Sequence, residues 1–230
     1  MSWVVVPAAG SGRRFGGELP KQYVEIAGKP VLRWTLEQLA KVPGIDGIVV
    51  VLAAHDAHWP DWREIDGIKI LTAIGGAERV DSVLAGLRAL PPWVGDSESI
   101  LVHDAARPCV KPSDVERLLR AAPGGGLLAV PMRDTVKQQS EHKVLTIPRE
   151  QLWRAQTPQC FPRAALTEAL IAAIGAGRVP TDEAQAMEWA GYPLLLIEGS
   201  EDNLKITTER DLALARWLLV VMGLATALLA

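Results

Sequence analysis

Two stretches of this chain, residues 3–6 (WVVV) and 48–52 (IVVVL), are apolar at every position. A strand with one wet face alternates polar and apolar residues, so runs like these belong to strands covered on both faces. Residues 68–71, 100–103 and 127–130 repeat the theme, and helical patterns at 31–41, 80–90 and 113–121 lie between them. The third helix opens on Ser113-Asp114-Val115-Glu116, the spacing of a capping box. This β-α-β-α order predicts an α/β fold: a mostly parallel sheet with right-handed crossovers, flanked by helices. Sheets of that kind bind ligands beyond the carboxyl ends of their strands. The residues that follow each strand are therefore the ones to read for chemistry.

Residues 134–159 break the rhythm, being polar and alternating only roughly at 143–147. A structureless loop of that length is uncommon in a compact domain, and the segment reads as a hairpin-like arm. Helices at 163–174 and 181–190, a strand at 194–198 and a terminal helix from about residue 208 complete the chain. With 230 residues, 49% of them hydrophobic, it has the apolar content for one domain with its own core. A net charge of −3 excludes a general nucleic-acid binder, so a phosphate site must concentrate its cations locally. Cys109 and Cys160, far apart, fit reduced thiols in a cytosol better than a disulfide framework. The N-terminal segment has neither the basic region nor the long apolar run of a signal peptide. The uncharged run 217–230 is shorter than the ~20 residues of a membrane-spanning helix and reads as a packed or frayed terminal helix. The expectation is a cytoplasmic protein with no membrane and no nucleic-acid partner.

The first strand runs into a turn, residues 7–21 (PAAGSGRRFGGELPK), that is rich in glycine and carries Arg13, Arg14 and Lys21. Small residues let main-chain N–H groups approach an anion closely, and the cations add to that cradle. It is not a P-loop, for no Gly-Lys-Ser/Thr string follows at the required spacing. Nor is it a dinucleotide fingerprint: Phe15 takes the third small position, and the next strand comes too late to supply the ribose-binding acid. A nucleoside triphosphate suits what remains.

Asp104 follows the strand at 100–103 and is succeeded by Ala105, Ala106 and Arg107. A carboxylate there suits Mg²⁺ (or another divalent cation) or a substrate hydroxyl, and equally a structural pair with Arg107. His103 closes an apolar run and reads as a core histidine rather than a catalyst. Gly75 and Gly76 precede a helix, where their backbone and the Ser82 hydroxyl can meet a base edge. Two further strings, 149–159 and 202–207, each place a cation where a phosphate could be held, or simply on a solvated surface.

Taken in order, these strings resemble the 2-C-methyl-D-erythritol 4-phosphate cytidylyltransferases of non-mevalonate isoprenoid biosynthesis. The resemblance rests on Pro7–Arg14 with Pro20-Lys21-Gln22-Tyr23, Gly75-Gly76 with Asp81-Ser82-Val83, and Val102–Pro108. It continues through Pro131 with Arg133-Asp134-Thr135, Leu152-Trp153 with Gln156–Gln159, Thr181–Ala184 and Asp202–Thr207. It implies a Rossmann-like nucleotidyltransferase fold with a protruding β arm, and CTP and 2-C-methyl-D-erythritol 4-phosphate as substrates. Arg14 and Lys21 would face the CTP α-phosphate, while Ala8, Ala9, Gly10, Gly12, Gly76, Ser82 and Ala105 would line the CTP site. Asp104, Arg107, Thr135, Arg149 and Lys205 would hold the acceptor, and Asp104 the metal. The arm, 134–159, would pair two subunits, so that Thr135 and Arg149 serve the partner's site. Pro148 and the apolar tail depart from the family pattern. An acceptor phosphate is anionic at neutral pH, so positioned cations and Mg²⁺ are wanted rather than a general base. Other readings are a ribitol 5-phosphate cytidylyltransferase and a non-catalytic nucleotide-binding subunit; a dinucleotide-dependent reductase is disfavoured by Phe15.

Overall fold

In the computed structural model, which describes residues 2–10, 19–141 and 143–224, strand β1 (Ser2–Pro7) runs through the interior of an eight-stranded sheet. Its side chains alternate between two cores. Val4 and Val6 pack with Leu32, Leu36 and Leu118, whereas Trp3 and Val5 pack with Val83, Leu87 and Leu166. Both faces are dry, which is why the run is apolar at every position.

After β1 come the two-residue strands β2 (Glu25–Ile26) and β3 (Lys29–Pro30), helix α1 (Val31–Ala40), β4 (Ile45–Leu52), β5 (Glu64–Ile65), β6 (Ile68–Ile74), α2 (Arg79–Arg88) and β7 (Ser99–Val102). The second half adds α3 (Pro112–Ala121), β8 (Gly126–Pro131), β9 (Val136–Ser140), β10 (Lys143–Ile147), β11 (Trp153–Pro162), α4 (Arg163–Gly175), α5 (Glu183–Trp189), β12 (Leu195–Glu198) and α6 (Glu209–Val221). The large sheet has the order β12-β8-β11-β7-β1-β4-β6-β5. It is parallel except for β11 and β5, each antiparallel to its neighbours. Helices α1 and α3 cover one face, and α2, α4 and α5 the other. Helix α6 lies outside α1, where Leu218 and Leu219 join Trp34 and Val31 in a third apolar cluster. Among the described residues no helix is long and apolar enough to cross a membrane. Residues 225–230 of the apolar tail lie outside them.

Three local expectations differ from what forms. Helix α3 starts at Pro112 with Lys111 as its N-cap and no side-chain cap, so Ser113 does not open a capping box. Proline at the first helical position lacks only an N–H that would be unpaired there anyway. Helix α5 begins at Glu183, because Asp182 caps it by accepting from the Gln185 N–H at 2.9 Å. The projecting hairpin is β9 with β10, a two-stranded sheet of its own, whereas residues 153–159 run in the large sheet as part of β11. Their polarity suggested a surface. In fact Gln156, Thr157 and Gln159 are buried and matched by partners: the Ser200 carbonyl, the Asp104 N–H, and the Asp182 side chain with the Ala184 N–H.

Helix α2 approaches the sheet closely at Gly86. A Cβ added there would overlap Val5 Cγ1 and lie 2.9 Å from Val51 Cγ2. Alanine in an open helix interior is better than glycine by roughly 1 kcal/mol. Here overpacking outweighs that gain, and Gly86→Ala is expected to lower the unfolding free energy by about 1–2 kcal/mol in urea titrations. An unchanged or higher midpoint would show that α2 is not held against β1 and β4 at this point.

Candidate active site

The carboxyl ends of β1, β6 and β7 open on one cavity of about 600 Å³. That volume is in the range of small-ligand sites. Pro7, Ala8, Ala9 and Gly10 form one wall directly after β1. Their backbone is tied down: the Ala8 N–H donates to the Val51 carbonyl at 2.8 Å, and Gln22 Nε2 donates to the carbonyls of Ala8 (2.7 Å) and Gly10 (3.2 Å). Gln22 is buried in the 3-10 turn Lys21–Tyr23, so the residue that fixes the small-residue wall also carries Lys21 beside it. Lys21 Nζ donates to the Ile206 carbonyl at 2.9 Å. On the third side of the turn the Tyr23 hydroxyl donates to Asp56 at 2.7 Å; burial and then that carboxylate push the phenol's pKa up.

The opposite wall is the start of α2. Gly75 donates its N–H to the Leu52 carbonyl at 2.8 Å, and a Cβ there would lie 2.6 Å from Ser82 Oγ and 2.7 Å from Ala9 Cβ. Only glycine lets residues 75 and 76, Ser82 and Ala9 crowd together. Glu78 and Asp81 cap the helix reciprocally, with the Glu78 N–H donating to Asp81 Oδ2 at 3.0 Å. Main-chain groups and one hydroxyl thus line this side of the cavity.

Asp104 stands at the floor, after β7. Its Oδ2 accepts from Arg107 Nε at 3.2 Å and lies 3.0 Å from Lys205 Nζ, while Arg79 Nη2 reaches Oδ1 at 3.4 Å. Burial pushes this carboxyl up, but Arg79, Lys205 and Arg107 outweigh it and hold the group far below the usual carboxylate range. Asp104 is therefore a fixed anion. Arg79 also forks onto Glu183, whose carboxylate takes both guanidinium nitrogens, one of them at 3.0 Å. Burial would lower the arginine's pKa, yet Glu183 and then Asp104 raise it. Ile206 donates its N–H to the Ala106 carbonyl at 2.9 Å, which docks Lys205 against the loop after Asp104.

Of the expected site residues, Ala8, Ala9, Gly10, Lys21, Gly76, Ser82, Asp104, Ala105 and Lys205 line this cavity together. Arg107 lies behind the floor, spent on Asp104 and on the Asn203 carbonyl at 2.6 Å. Thr135 and Arg149 are exposed at the base of the hairpin, away from the cavity, and Arg149 donates to the Arg133 carbonyl. Gly12 and Arg14 lie outside the described residues. Gln22, Arg79 and Glu183 were not singled out from the sequence. Each sits inside a motif that was, but nothing local shows that Arg79 and Glu183, 104 positions apart, meet. Among the described residues no three His, Cys, Asp or Glu side chains form a metal cluster. Cys109 and Cys160 are free and buried, and burial pushes their thiols up to about 12 and about 11, which makes them inert.

The family model for 2-C-methyl-D-erythritol 4-phosphate cytidylyltransferase matches residues 2–220. A protein of that name from Stenotrophomonas maltophilia strain K279a is 53% identical over 215 residues, covering 91% of this chain and 93% of its own. One from Xanthomonas euvesicatoria pv. vesicatoria is 50% identical over 227 residues, covering 96% and 86%. Among solved structures, the Francisella tularensis enzyme superposes with a TM-score of 0.80 at 33% identity over 95% of this chain and 99% of that one. The Thermus thermophilus enzyme gives 0.74 at 33% over 94% and 97%.

Behind the floor, His103 is wholly buried. Its Nδ1 is 3.0 Å from the Thr157 hydroxyl and its Nε2 3.2 Å from the Arg107 carbonyl. A carbonyl only accepts, so the Nε2–H tautomer satisfies both contacts and the ring stays neutral. Burial lowers its pKa from 6.5 to about 4, against the opposing pull of Asp104 and the Arg107 carbonyl. The unfolded chain takes up this proton near pH 6.5 and the folded chain refuses it until about pH 4. Stability is therefore full above the higher value and falls as the pH drops between the two. At about 1.4 kcal/mol per unit, the loss reaches roughly 3 kcal/mol at the acid end. Urea midpoints should begin to decline near pH 6.5, where ordinary carboxylates are still ionised. His103→Asn should flatten that slope while lowering stability at neutral pH; an equal slope in the variant would assign the decline to other groups.

Proposed function

The chain belongs to the 2-C-methyl-D-erythritol 4-phosphate cytidylyltransferase family, and we propose how its own residues divide the work of that reaction. The enzyme joins CTP to 2-C-methyl-D-erythritol 4-phosphate, giving 4-diphosphocytidyl-2-C-methyl-D-erythritol and pyrophosphate on the non-mevalonate route to isoprenoid precursors. One observation carries the assignment of roles: the cavity wall made by Ala9, Gly76 and Ser82 adjoins a floor lined by Lys21, Lys205 and the fixed anion Asp104.

A phosphate oxygen of the acceptor attacks the α-phosphorus of CTP; the new P–O bond forms as the bond to the β-phosphate breaks and pyrophosphate leaves. The attacking oxygen is already anionic, so no proton has to be removed. Catalysis then consists of holding two anions together and supporting a crowded phosphorus. Lys21 faces the α-phosphate, where negative charge builds up. The backbone at Gly76 and the Ser82 hydroxyl read the cytosine edge, and Ala8, Ala9, Gly10 and Ala105 let the nucleotide lie against the main chain. Lys205 takes the acceptor phosphate, and Asp104 Oδ1 accepts from an acceptor hydroxyl. Arg107 acts through Asp104, which it braces. His103 takes no part, being buried with both nitrogens engaged.

A divalent cation, Mg²⁺ in this reading, takes one or two protein carboxylates and fills its other positions with phosphate oxygens and water. Asp104 is the carboxylate on the cavity floor, but Arg79, Arg107 and Lys205 already hold its two oxygens, so it does not fit as a direct ligand and the triphosphate oxygens would carry the metal. When bound, it neutralises triphosphate charge.

Two copies pair through their hairpins in this reading, in the cytoplasm. Val144 (61% exposed) and Leu145 (44%) on the hairpin, and Leu195 (52%) and Leu196 (46%) on the edge strand β12, are apolar surface that a second copy would cover. Thr135 and Arg149 lie away from their own cavity and would complete the partner's.

Pyrophosphate release tests the acceptor. The purified enzyme should turn over 2-C-methyl-D-erythritol 4-phosphate with CTP at least about 100-fold more efficiently than ribitol 5-phosphate, if hydrogen bonds to the acceptor hydroxyls discriminate. A preference for ribitol 5-phosphate would reassign the substrate.

Mixed dimers test the shared site. An Arg149→Ala chain keeps its own Lys21 and supplies a defective arm; a Lys21→Ala chain does the reverse. Each homodimer should lose about 10²–10³-fold in kcat. Co-refolding the two should restore one working site per heterodimer, in the chain that keeps Lys21. Confirmed heterodimers no more active than either homodimer would place Arg149 in its own chain's site.

A further inference from the structure

Arg79 stands at the first position of α2 with its guanidinium between two carboxylates. Glu183 Oε1 and Oε2 take its two terminal nitrogens in a fork, whereas Asp104 Oδ1 receives Nη2 alone, at 3.4 Å. The preference comes from how Glu183 is held. Its side chain is 1% exposed, and the backbone around it is fixed at both ends. Asp182 caps α5 and accepts from Gln159 Nε2 at 2.9 Å, and Gln159 Oε1 accepts from the Ala184 N–H at 2.7 Å. Gln159 belongs to β11, so the large sheet itself sets the place of this carboxylate.

Asp104 has two oxygens with different duties. Oδ2 is occupied by Arg107 and Lys205 at 3.2 and 3.0 Å. Oδ1 faces Arg79 across a long, weak contact and is the oxygen that a substrate hydroxyl can approach. A forked arginine–carboxylate pair is the strongest arrangement the two groups can make. Had Arg79 no better partner, its guanidinium would turn that fork on Asp104 and occupy Oδ1.

We propose that Glu183 is a positioning residue that keeps Asp104 available to the acceptor by holding Arg79 away from it. The inference rests on the reading of Asp104 as the partner of an acceptor hydroxyl. Glu183 touches no substrate in this arrangement. Its charge acts only through Arg79, so the consequence of losing it must disappear when the arginine is neutralised as well.

The test is steady-state kinetics on the full-length enzyme, with acceptor varied at saturating CTP and CTP varied at saturating acceptor. Glu183→Gln should raise the acceptor KM about tenfold or more while the KM for CTP stays within about twofold. Adding Arg79→Gln to Glu183→Gln should bring the acceptor KM back to within about threefold of wild type. An unchanged acceptor KM in Glu183→Gln, or a double variant no better than the single, overturns the proposal. So does a parallel rise in both KM values, which is what a loosened α5 would cause. Thermal unfolding of each variant accompanies the kinetics. If Glu183→Gln does not fold, the double variant carries the test, since its two amides leave no unpaired buried charge; an acceptor KM raised tenfold there also overturns the proposal. A wild-type enzyme that releases no pyrophosphate with the acceptor would instead sink the functional reading, and this inference with it.

Discussion

A buried carboxylate at the end of β7 ties together parts of the chain that are remote in sequence. Asp104 meets Arg79 from α2, Arg107 from its own loop and Lys205 from the segment that precedes α6, and Arg79 continues to Glu183 on α5. Charges removed from water cost several kcal/mol each unless they are matched, and breaking one partner of a buried pair typically costs about 3–5 kcal/mol. Such a network adds little net stability, but it admits few alternatives. Once Asp104 is placed, the start of α2, the start of α5 and Lys205 have one arrangement that satisfies them all, and that arrangement surrounds the cavity.

The sheet makes this placement rigid. Strand β1 is buried on both faces and paired on both edges, so the turn that follows it leaves the sheet at a fixed point. Gln22 then holds the carbonyls of Ala8 and Gly10, and the close packing of Gly75 on Ser82 and Ala9 fixes the opposite wall of the cavity. For a reaction between two anions, preorganised cations and amide groups do the work that acids and bases do elsewhere, because they need no rearrangement as charge builds up at phosphorus. The neutral, wholly engaged His103 agrees with that: both its ring nitrogens are spent on supporting the floor.

Much of this was legible in the sequence because it depends on local pattern. Apolar runs without alternation marked the interior strands, and the glycine-rich turn with its cations, the Gly75-Gly76 string and Asp104 stood where a parallel sheet presents ligands. The motifs, taken in order, pointed to one family, and the comparisons agree. The hairpin was legible as an excursion, though not its end: Gln156, Thr157 and Gln159 look like surface residues and are core residues whose polar atoms are all matched from distant segments. The start of α3 was misjudged because a Ser-x-x-Glu string cannot show that Pro112 has already begun the helix.

The sequence by itself determined the strand and helix pattern, the small-residue walls and the supply of cations, since each follows from spacing along the chain and from side-chain size. Only the tertiary structure decided which cation meets which anion. Arg107 is spent on bracing the floor, Arg149 stands away from its own cavity, and Arg79 pairs with a glutamate 104 positions later. The physical reason is that an ion pair depends on the distance between two groups in space, and strand order and register, not sequence separation, set that distance.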